Sequence, residues 1–187
     1  MRKLTQFFLL LSLLLGFSSY SEAALLVEPV VGFNLGSKAD ISSFPDSYSG
    51  GSGMGFGGRI GYQNLGFQLG VDYLNSNIDM NDDDWDSNLK VSEWAGFVGF
   101  RFPVFFKVYA GYIFASSAET KIGGADFDLS SGSGTKLGVG FTGLPFLDLN
   151  VEYRTGKFDE IKASGIDTGW TMDYSSILFS VSLPITI

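Results

Sequence analysis

From residue 24 onward the sequence alternates between apolar and polar positions in stretches of about ten residues, separated by turns or polar loops. A period of two predicts β-strands, because successive side chains of a strand point to opposite faces. The spacing of an amphipathic helix is absent from this part of the chain. We predict eight strands, at residues 25–35, 54–64, 67–76, 91–102, 105–115, 134–142, 146–155 and 173–187.

The connections between these strands alternate in length. Three are short and uncharged, at residues 65–66, 103–104 and 143–145. Four are long, polar and rich in Gly, Ser and Asp, at residues 36–53, 77–90, 116–133 and 156–172. Short turns at one end and long loops at the other predict an antiparallel up-and-down barrel, with both termini at the short-turn end.

Each strand has one apolar face and one face that carries the charges. The charged positions are Glu28, Arg59, Asp72, Glu93, Arg101, Lys107, Lys136, Asp148, Glu152 and Arg154. Alternation alone does not say which face is inside, and a secreted lipocalin-like carrier would place the apolar face inward. The charged face has five acids and five bases and most of the strand glycines, which suits a narrow interior better than a free surface.

Aromatic residues on the apolar face favour the membrane alternative. They collect near both ends of the strands, with aliphatic residues between them, as at the two interfaces of a bilayer. The two predicted girdles are Phe33, Phe56, Tyr73, Trp94, Tyr112, Phe114 and Tyr153 at one end, and Tyr62, Phe67, Phe100, Phe102, Phe106 and Phe141 at the other. Strands of about 9–11 residues are also long enough to cross a membrane at a tilt. The sequence therefore predicts an eight-stranded transmembrane β-barrel.

Two of the short turns predict a strand register. If Leu65-Gly66 is a two-residue turn, Arg59 lies opposite Asp72; if 143–145 is a three-residue connection, Lys136 lies opposite Glu152. Pro29 and Pro184 both lack a backbone donor and are expected near each other, where the first and last strands meet.

The N-terminal segment has the features of an export signal. Arg2 and Lys3 precede an apolar run over residues 7–17, and Ser21-Glu22-Ala23 supplies a small-x-small cleavage site. The run is too short for a spanning helix, which needs about 20 apolar residues, so we favour a signal peptide at 1–23 over a membrane anchor. The barrel then occupies residues 24–187.

Composition excludes several chemistries. The chain has no His and no Cys, which removes the usual general base and the thiol nucleophile, and its net charge of -8 argues against a nucleic-acid partner. Without His, Ser176 and Ser180 lack their usual activator. Asp148 and Glu152 are roughly 13 Å apart along a strand, too far to cooperate. We expect no enzyme activity and no cofactor.

One dense acidic run, at Asp82, Asp83, Asp84 and Asp86, is a candidate for binding a divalent cation through carboxylate oxygens. It lacks the ligand spacing, central Gly and distal Glu of a calcium loop, and we interpret it as a solvated loop tip.

Three strand segments are characteristic: Val27-Glu28-Pro29-Val30-Val31-Gly32, Val108-Tyr109-Ala110-Gly111-Tyr112 and Val151-Glu152-Tyr153-Arg154. They resemble strands of the small outer-membrane β-barrel family that includes OmpA-, OmpX- and OmpW-like proteins. The resemblance implies residence in the outer membrane, contact with its lipid, and insertion by the assembly machinery through the C-terminal strand. The chain departs from the family by ending in Leu183-Pro184-Ile185-Thr186-Ile187 instead of Phe or Trp.

Together these features predict a monomeric or weakly associated, non-enzymatic outer-membrane protein. Its expected role is in envelope structure, or in surface interaction through acidic extracellular loops. A narrow pore or an OmpW-like conduit for small or hydrophobic solutes is the first alternative, and a secreted lipocalin-like carrier is the second.

Overall fold

The computed structural model describes residues 24–42, 48–82, 85–122 and 125–187. These form ten strands, which are β1 Ala24–Ile41, β2 Tyr48–Asn64, β3 Phe67–Asp82, β4 Trp85–Arg101, β5 Phe106–Ile122, β6 Ala125–Phe141, β7 Asp148–Ala163, β8 Ile166–Asp167, β9 Met172–Ser182 and β10 Ile185–Thr186. In the part of the chain so described, no helix is long and apolar enough to cross a membrane.

The sheet closes on itself. Strands β1 to β7 are antiparallel neighbours in chain order, and β9 pairs with both β7 and β1. The two short strands are additions: β8 forms a hairpin with the end of β7, and β10 continues β9 alongside β1 after a break at Pro184. The prediction of an eight-stranded antiparallel barrel is confirmed.

The apolar face of each strand points outward. Val31, Leu69 and Val139 are exposed on the outer wall, whereas Glu28 and Lys107 are buried inside. A lipocalin-like carrier requires the opposite arrangement, with apolar residues lining the interior. This alternative is therefore wrong.

The Leu65-Gly66 turn confirms one predicted register. Both residues have positive φ, 49° and 85°, as in the tight hairpin turns whose twist matches that of the strands. Asn64 pairs with Phe67 across the turn, and Arg59 lies opposite Asp72.

The second register prediction is wrong. Phe141 pairs with Leu149, so the connection spans residues 142–147 instead of three residues, and Lys136 lies opposite Arg154 instead of Glu152. The amide of Thr142 donates to the carbonyl of Phe105 in the adjacent turn, at 2.8 Å, and is not available to pair with Phe146. Phe146 itself has a left-handed backbone, with φ of 67°, which ends the ladder.

The prediction of four long loops is also wrong over most of their length, because the strands continue into residues 36–53, 77–90, 116–133 and 156–172. Pairing reaches Asp82 opposite Trp85 and Ile122 opposite Ala125. These outer halves of the strands form an extracellular extension of the barrel beyond the membrane. Its outward side chains are polar because they face water, so the polarity of the two faces is inverted relative to the membrane-spanning part. The buried interior is apolar, formed by Ala39, Ile78, Leu89, Val91, Ala118, Leu129, Phe158, Ile161 and Met172.

The two prolines lie together at the seam, as predicted. The β1–β9 ladder ends at Val30 opposite Ser182 and resumes in β10 at Val27 opposite Ile185. Between them, the amide of Leu183 donates to the carbonyl of Pro29 at 3.1 Å. Pro29 has no amide to donate in return, so the seam has fewer ladder bonds here than the rest of the wall.

We expect the amide hydrogens of Val27 and Leu183, which point across the seam on either side of the missing Pro29 donor, to exchange faster than mid-wall amides such as those of Leu69 and Val139, because the ladder opens more easily there. Hydrogen exchange followed by NMR on the refolded barrel measures this. Equal or slower exchange at the seam would contradict it.

Candidate functional site

The interior of the membrane-spanning part of the barrel is a network of charged side chains. It includes all ten charges predicted to face inward; nine are buried, and the Arg101 side chain is 24% exposed at the periplasmic end. Five are acidic and five are basic, and strands β1 to β7 each contribute at least one. Ion pairs join all ten into one continuous network that runs along the lumen.

The periplasmic part of the network is built around Asp148 and Glu28. Asp148 Oδ2 accepts from Arg101 Nη2 at 2.5 Å and lies 2.9 Å from Lys107 Nζ. The same lysine donates to Glu28 Oε1 at 2.6 Å, and the Ser182 hydroxyl donates to that oxygen at 2.5 Å. Lys107 therefore links β5 to β7 and β1 across the lumen.

The central part surrounds Glu152. Its Oε2 lies 3.1 Å from Arg59 Nη2 and 3.8 Å from Lys136 Nζ, while Oε1 accepts from Arg154. Lys136 also donates to Asp72, and Arg59 Nε lies 3.5 Å from the same carboxylate. Lys136 thus reaches Glu152 diagonally, although the two residues are not opposite each other in the ladder.

The extracellular end of the network is Glu93, which accepts from Arg154 and from the Tyr174 hydroxyl, the latter at 2.5 Å. Tyr174 was absent from the sequence-predicted site, since a single tyrosine at the start of a strand carries no sign of an inward partner. It connects the charges to the apolar interior of the extension, because its ring lies 5.2 Å from that of Phe158.

Tyr109 fills the middle of the lumen. The Arg59 guanidinium lies 4.3 Å from the centre of its ring, a cation–π contact. The ring packs against Gly138 on the next strand, where an added Cβ would lie only 2.2 Å from it. The inward glycine is therefore needed for the tyrosine to fit, in agreement with the expectation that glycines make room in a narrow barrel.

Above the network, the apolar interior of the extension forms a second layer. Phe158, Met172 and Ile78 are buried there, and a cavity of about 30 Å³, room for one or two waters, lies between the layers beside Glu93 and Arg154. Both layers lie across the lumen, one of paired charges and one of packed apolar side chains.

The predicted aromatic girdles lie on the outer wall. Ten of the thirteen residues are exposed, and Tyr73, Phe100 and Phe102 are half-buried because they pack against neighbouring rings. At the periplasmic end Phe67, Phe100, Phe102 and Phe106 form a continuous row with centroid distances of 4.3 to 4.7 Å.

Two further predictions lie outside the residues described. The first is the predicted signal peptide, at residues 1–23. The second is the acidic run, of which Asp83, Asp84 and the side chains of Asp82 and Asp86 are not described. Within the described ranges, no group of three or more acidic side chains is arranged to hold a metal ion.

Comparison with known families identifies this architecture. Residues 8–183 match the model of the outer membrane protein beta-barrel domain. The chain belongs to this family. It is therefore an outer-membrane β-barrel protein of bacteria, as its apolar wall and charged interior indicated.

Solved structures agree with the family match. Neisserial surface protein A is 18% identical, with a TM-score of 0.56 over 87% of this chain and 99% of that one. Ail, the attachment invasion locus protein of Yersinia pestis, is 12% identical, with a TM-score of 0.57 over 86% of this chain and 98% of that one. At these identities the similarity concerns the fold. A search of curated proteins gives no match.

For an outer-membrane barrel, the charge network is a strong stability constraint. A buried ion requires compensation from its partners, and removing one partner of a buried pair typically costs about 3–5 kcal/mol. Glu152 is fully buried and contacts three cations, so its loss leaves excess positive charge where neither lipid nor bulk water solvates it.

We expect Glu152→Gln to lower the free energy of unfolding of the barrel by about 3 kcal/mol, measured by urea titration in lipid vesicles. The control is Asp159→Asn on the same strand, which removes an exposed ion pair with Lys157 at 3.4 Å and should cost at most about 1 kcal/mol. Equal effects of the two substitutions would contradict a structural role for the network.

Proposed function

We propose that this outer-membrane barrel acts at the cell surface through its extracellular extension, without enzyme activity and without conducting solutes through its lumen. The observation that carries the proposal is the filled lumen, in which a layer of paired charges lies below a layer of packed apolar residues. Solutes crossing it would have to break buried ion pairs and displace an apolar core, both of which are costly.

The lumen also offers little for catalysis. The chain has neither His nor Cys, and the two carboxylates considered from the sequence are both held in ion pairs. Asp148 contacts Arg101 and Lys107, and Glu152 contacts three cations. The oxygens of both carboxylates are already engaged by their ion-pair partners and are poorly placed to act as a general base towards a substrate.

The extension presents an acidic surface. Nine described acids are exposed on it, against three exposed lysines and one half-buried lysine; the acids are Asp40, Asp79, Glu119, Asp126, Asp128, Asp159, Glu160, Asp167 and Asp173. Asp40 faces Asp173, and Glu119 faces Asp128, across the strands. Lysines lie opposite Asp173, Glu119 and Asp128 on their other neighbouring strands, but the acids remain in excess, and a cationic partner would offset that excess.

We therefore propose a partner with a basic surface. Ail has been solved in complex with the heparin analogue sucrose octasulfate. A sulfated ligand of that kind is repelled by the acidic extension of the present chain, so similarity of fold is not expected to carry over to similarity of ligand.

Conductance across planar lipid bilayers tests the filled lumen. We expect no steady conductance above the protein-free level for the wild type. A variant in which Arg59, Tyr109 and Phe158 are replaced by serine removes large side chains at three heights of the lumen and should conduct. A large steady conductance of the wild type would refute the proposal and support the alternative of a narrow pore.

Binding of probes to the barrel in vesicles tests the surface. We expect a fluorescent oligolysine peptide to bind with an affinity that falls as salt rises, and heparin not to bind. Replacing Asp40, Asp128 and Asp173 by asparagine should weaken oligolysine binding several-fold, whereas the lumen-facing Glu93→Gln should not, if the variant folds. Heparin binding in place of oligolysine would contradict the proposed partner.

A further inference from the structure

The three periplasmic turns of the barrel are apolar and exposed. Residues 64–67, 102–106 and 142–147 contain no charged side chain. Phe105 is 65% exposed and Phe146 is 82% exposed, and Leu65, Val104 and Leu144 are exposed as well. Exposing these apolar side chains to water is unfavourable, which raises the question of what covers them.

The turn geometry does not require apolar residues. Leu65, Phe105 and Phe146 have positive φ, a conformation that favours Gly or Asn and is unusual for bulky side chains. The hairpin turn Ser164-Gly165 at the extracellular end has almost the same angles, 49° and 82° against 49° and 85° for Leu65-Gly66. The polar Ser164 occupies there the position that Leu65 occupies in the periplasmic turn.

The height of the apolar wall differs around the barrel. On β1 outward apolar residues run from Leu25 to Leu35, which at about 3.4 Å per residue and a tilt of about 45° corresponds to roughly 24 Å. On β6 they run only from Leu137 to Phe141, roughly 10 Å, because Thr135 is the next outward residue. An outer-membrane barrel has an apolar band of about 25 Å.

The shortest part of the wall has the longest apolar turn below it. The connection 142–147 joins β6 to β7. Phe146 lies three residues before Leu149, the partner of Phe141, and at the tilt of the strands this distance would extend the apolar wall towards the periplasm by roughly 7 Å. Leu144 and Leu147 are exposed on the same connection.

We propose that the three periplasmic turns are embedded in the membrane, where the acyl chains and headgroups of the inner leaflet cover Leu65, Phe105 and Phe146. The turns continue the outer wall, which lipid already covers, and Phe67, Phe106 and Phe141 of the lower girdle lie next to them. Arg101 and Asp148, the charges nearest this end, pair with each other at 2.5 Å. Embedding the turns therefore buries no unpaired charge.

Site-directed spin labelling tests this proposal. The chain contains no cysteine, so Leu65→Cys, Phe105→Cys and Phe146→Cys each give a single attachment point. The matched control is Ser164→Cys, in the equivalent turn at the other end, and the reference for lipid exposure is Val139→Cys on the wall. The labelled barrels are reconstituted in phosphatidylethanolamine–phosphatidylglycerol vesicles, and collision rates with oxygen and with a water-soluble nickel chelate are measured.

We expect the ratio of oxygen to nickel collisions at 65, 105 and 146 to exceed that at 164 several-fold and to approach that at 139. Ratios at the three turns equal to that at 164 would overturn the proposal, and would indicate that a protein partner, absent from these vesicles, covers the turns in the cell. Heat-dependent migration confirms that each variant is folded; if one turn variant fails to fold, the other two decide the outcome.

Discussion

A bilayer offers no water to the backbone, and this constraint determines the rest of the structure. Every amide and carbonyl in the wall must find its partner within the protein, so the sheet has to close, and here β9 completes the ladder between β7 and β1. A closed barrel of eight strands leaves an interior just wide enough for side chains. The outward face must then be apolar, while the narrow interior must be filled.

The way in which the interior is filled distinguishes this barrel. Equal numbers of acids and bases are joined in one network, so that charges are buried without a net charge in a region surrounded by lipid. Several of the pairs join strands that are not neighbours in the sheet and so connect distant parts of the wall. Lys107 and Lys136 both span the lumen in this way. A neutral, interlocked interior supports the proposed surface role without conduction.

The boundary of the membrane is visible as an inversion of polarity along each strand. Within the lipid, apolar residues point out and charged residues point in; beyond it, Asp79 and Lys90 point out while Ile78, Leu89 and Val91 point in. On several strands the boundary is also marked by an irregularity in pairing, as near Gly36 on β1 and Ser131 on β6. Such bulges shift the side-chain alternation by one residue.

The sequence by itself determined the barrel, its outward face, the ten inward charges and the Leu65-Gly66 register. These follow from a strict period of two and from a two-residue turn, both of which are local. The upper halves of the strands were missed because the inverted polarity and the bulges interrupt the alternation, so that they were interpreted as polar loops. Apart from Arg59 and Asp72, which the predicted register places opposite each other, the pairing of acids with bases was decided by tertiary structure. Lys136 meets Asp72 across the lumen because closure brings together strands that are distant in the chain. Thr142 bonds to Phe105 instead of its own hairpin because the β5–β6 ladder continues past Phe141.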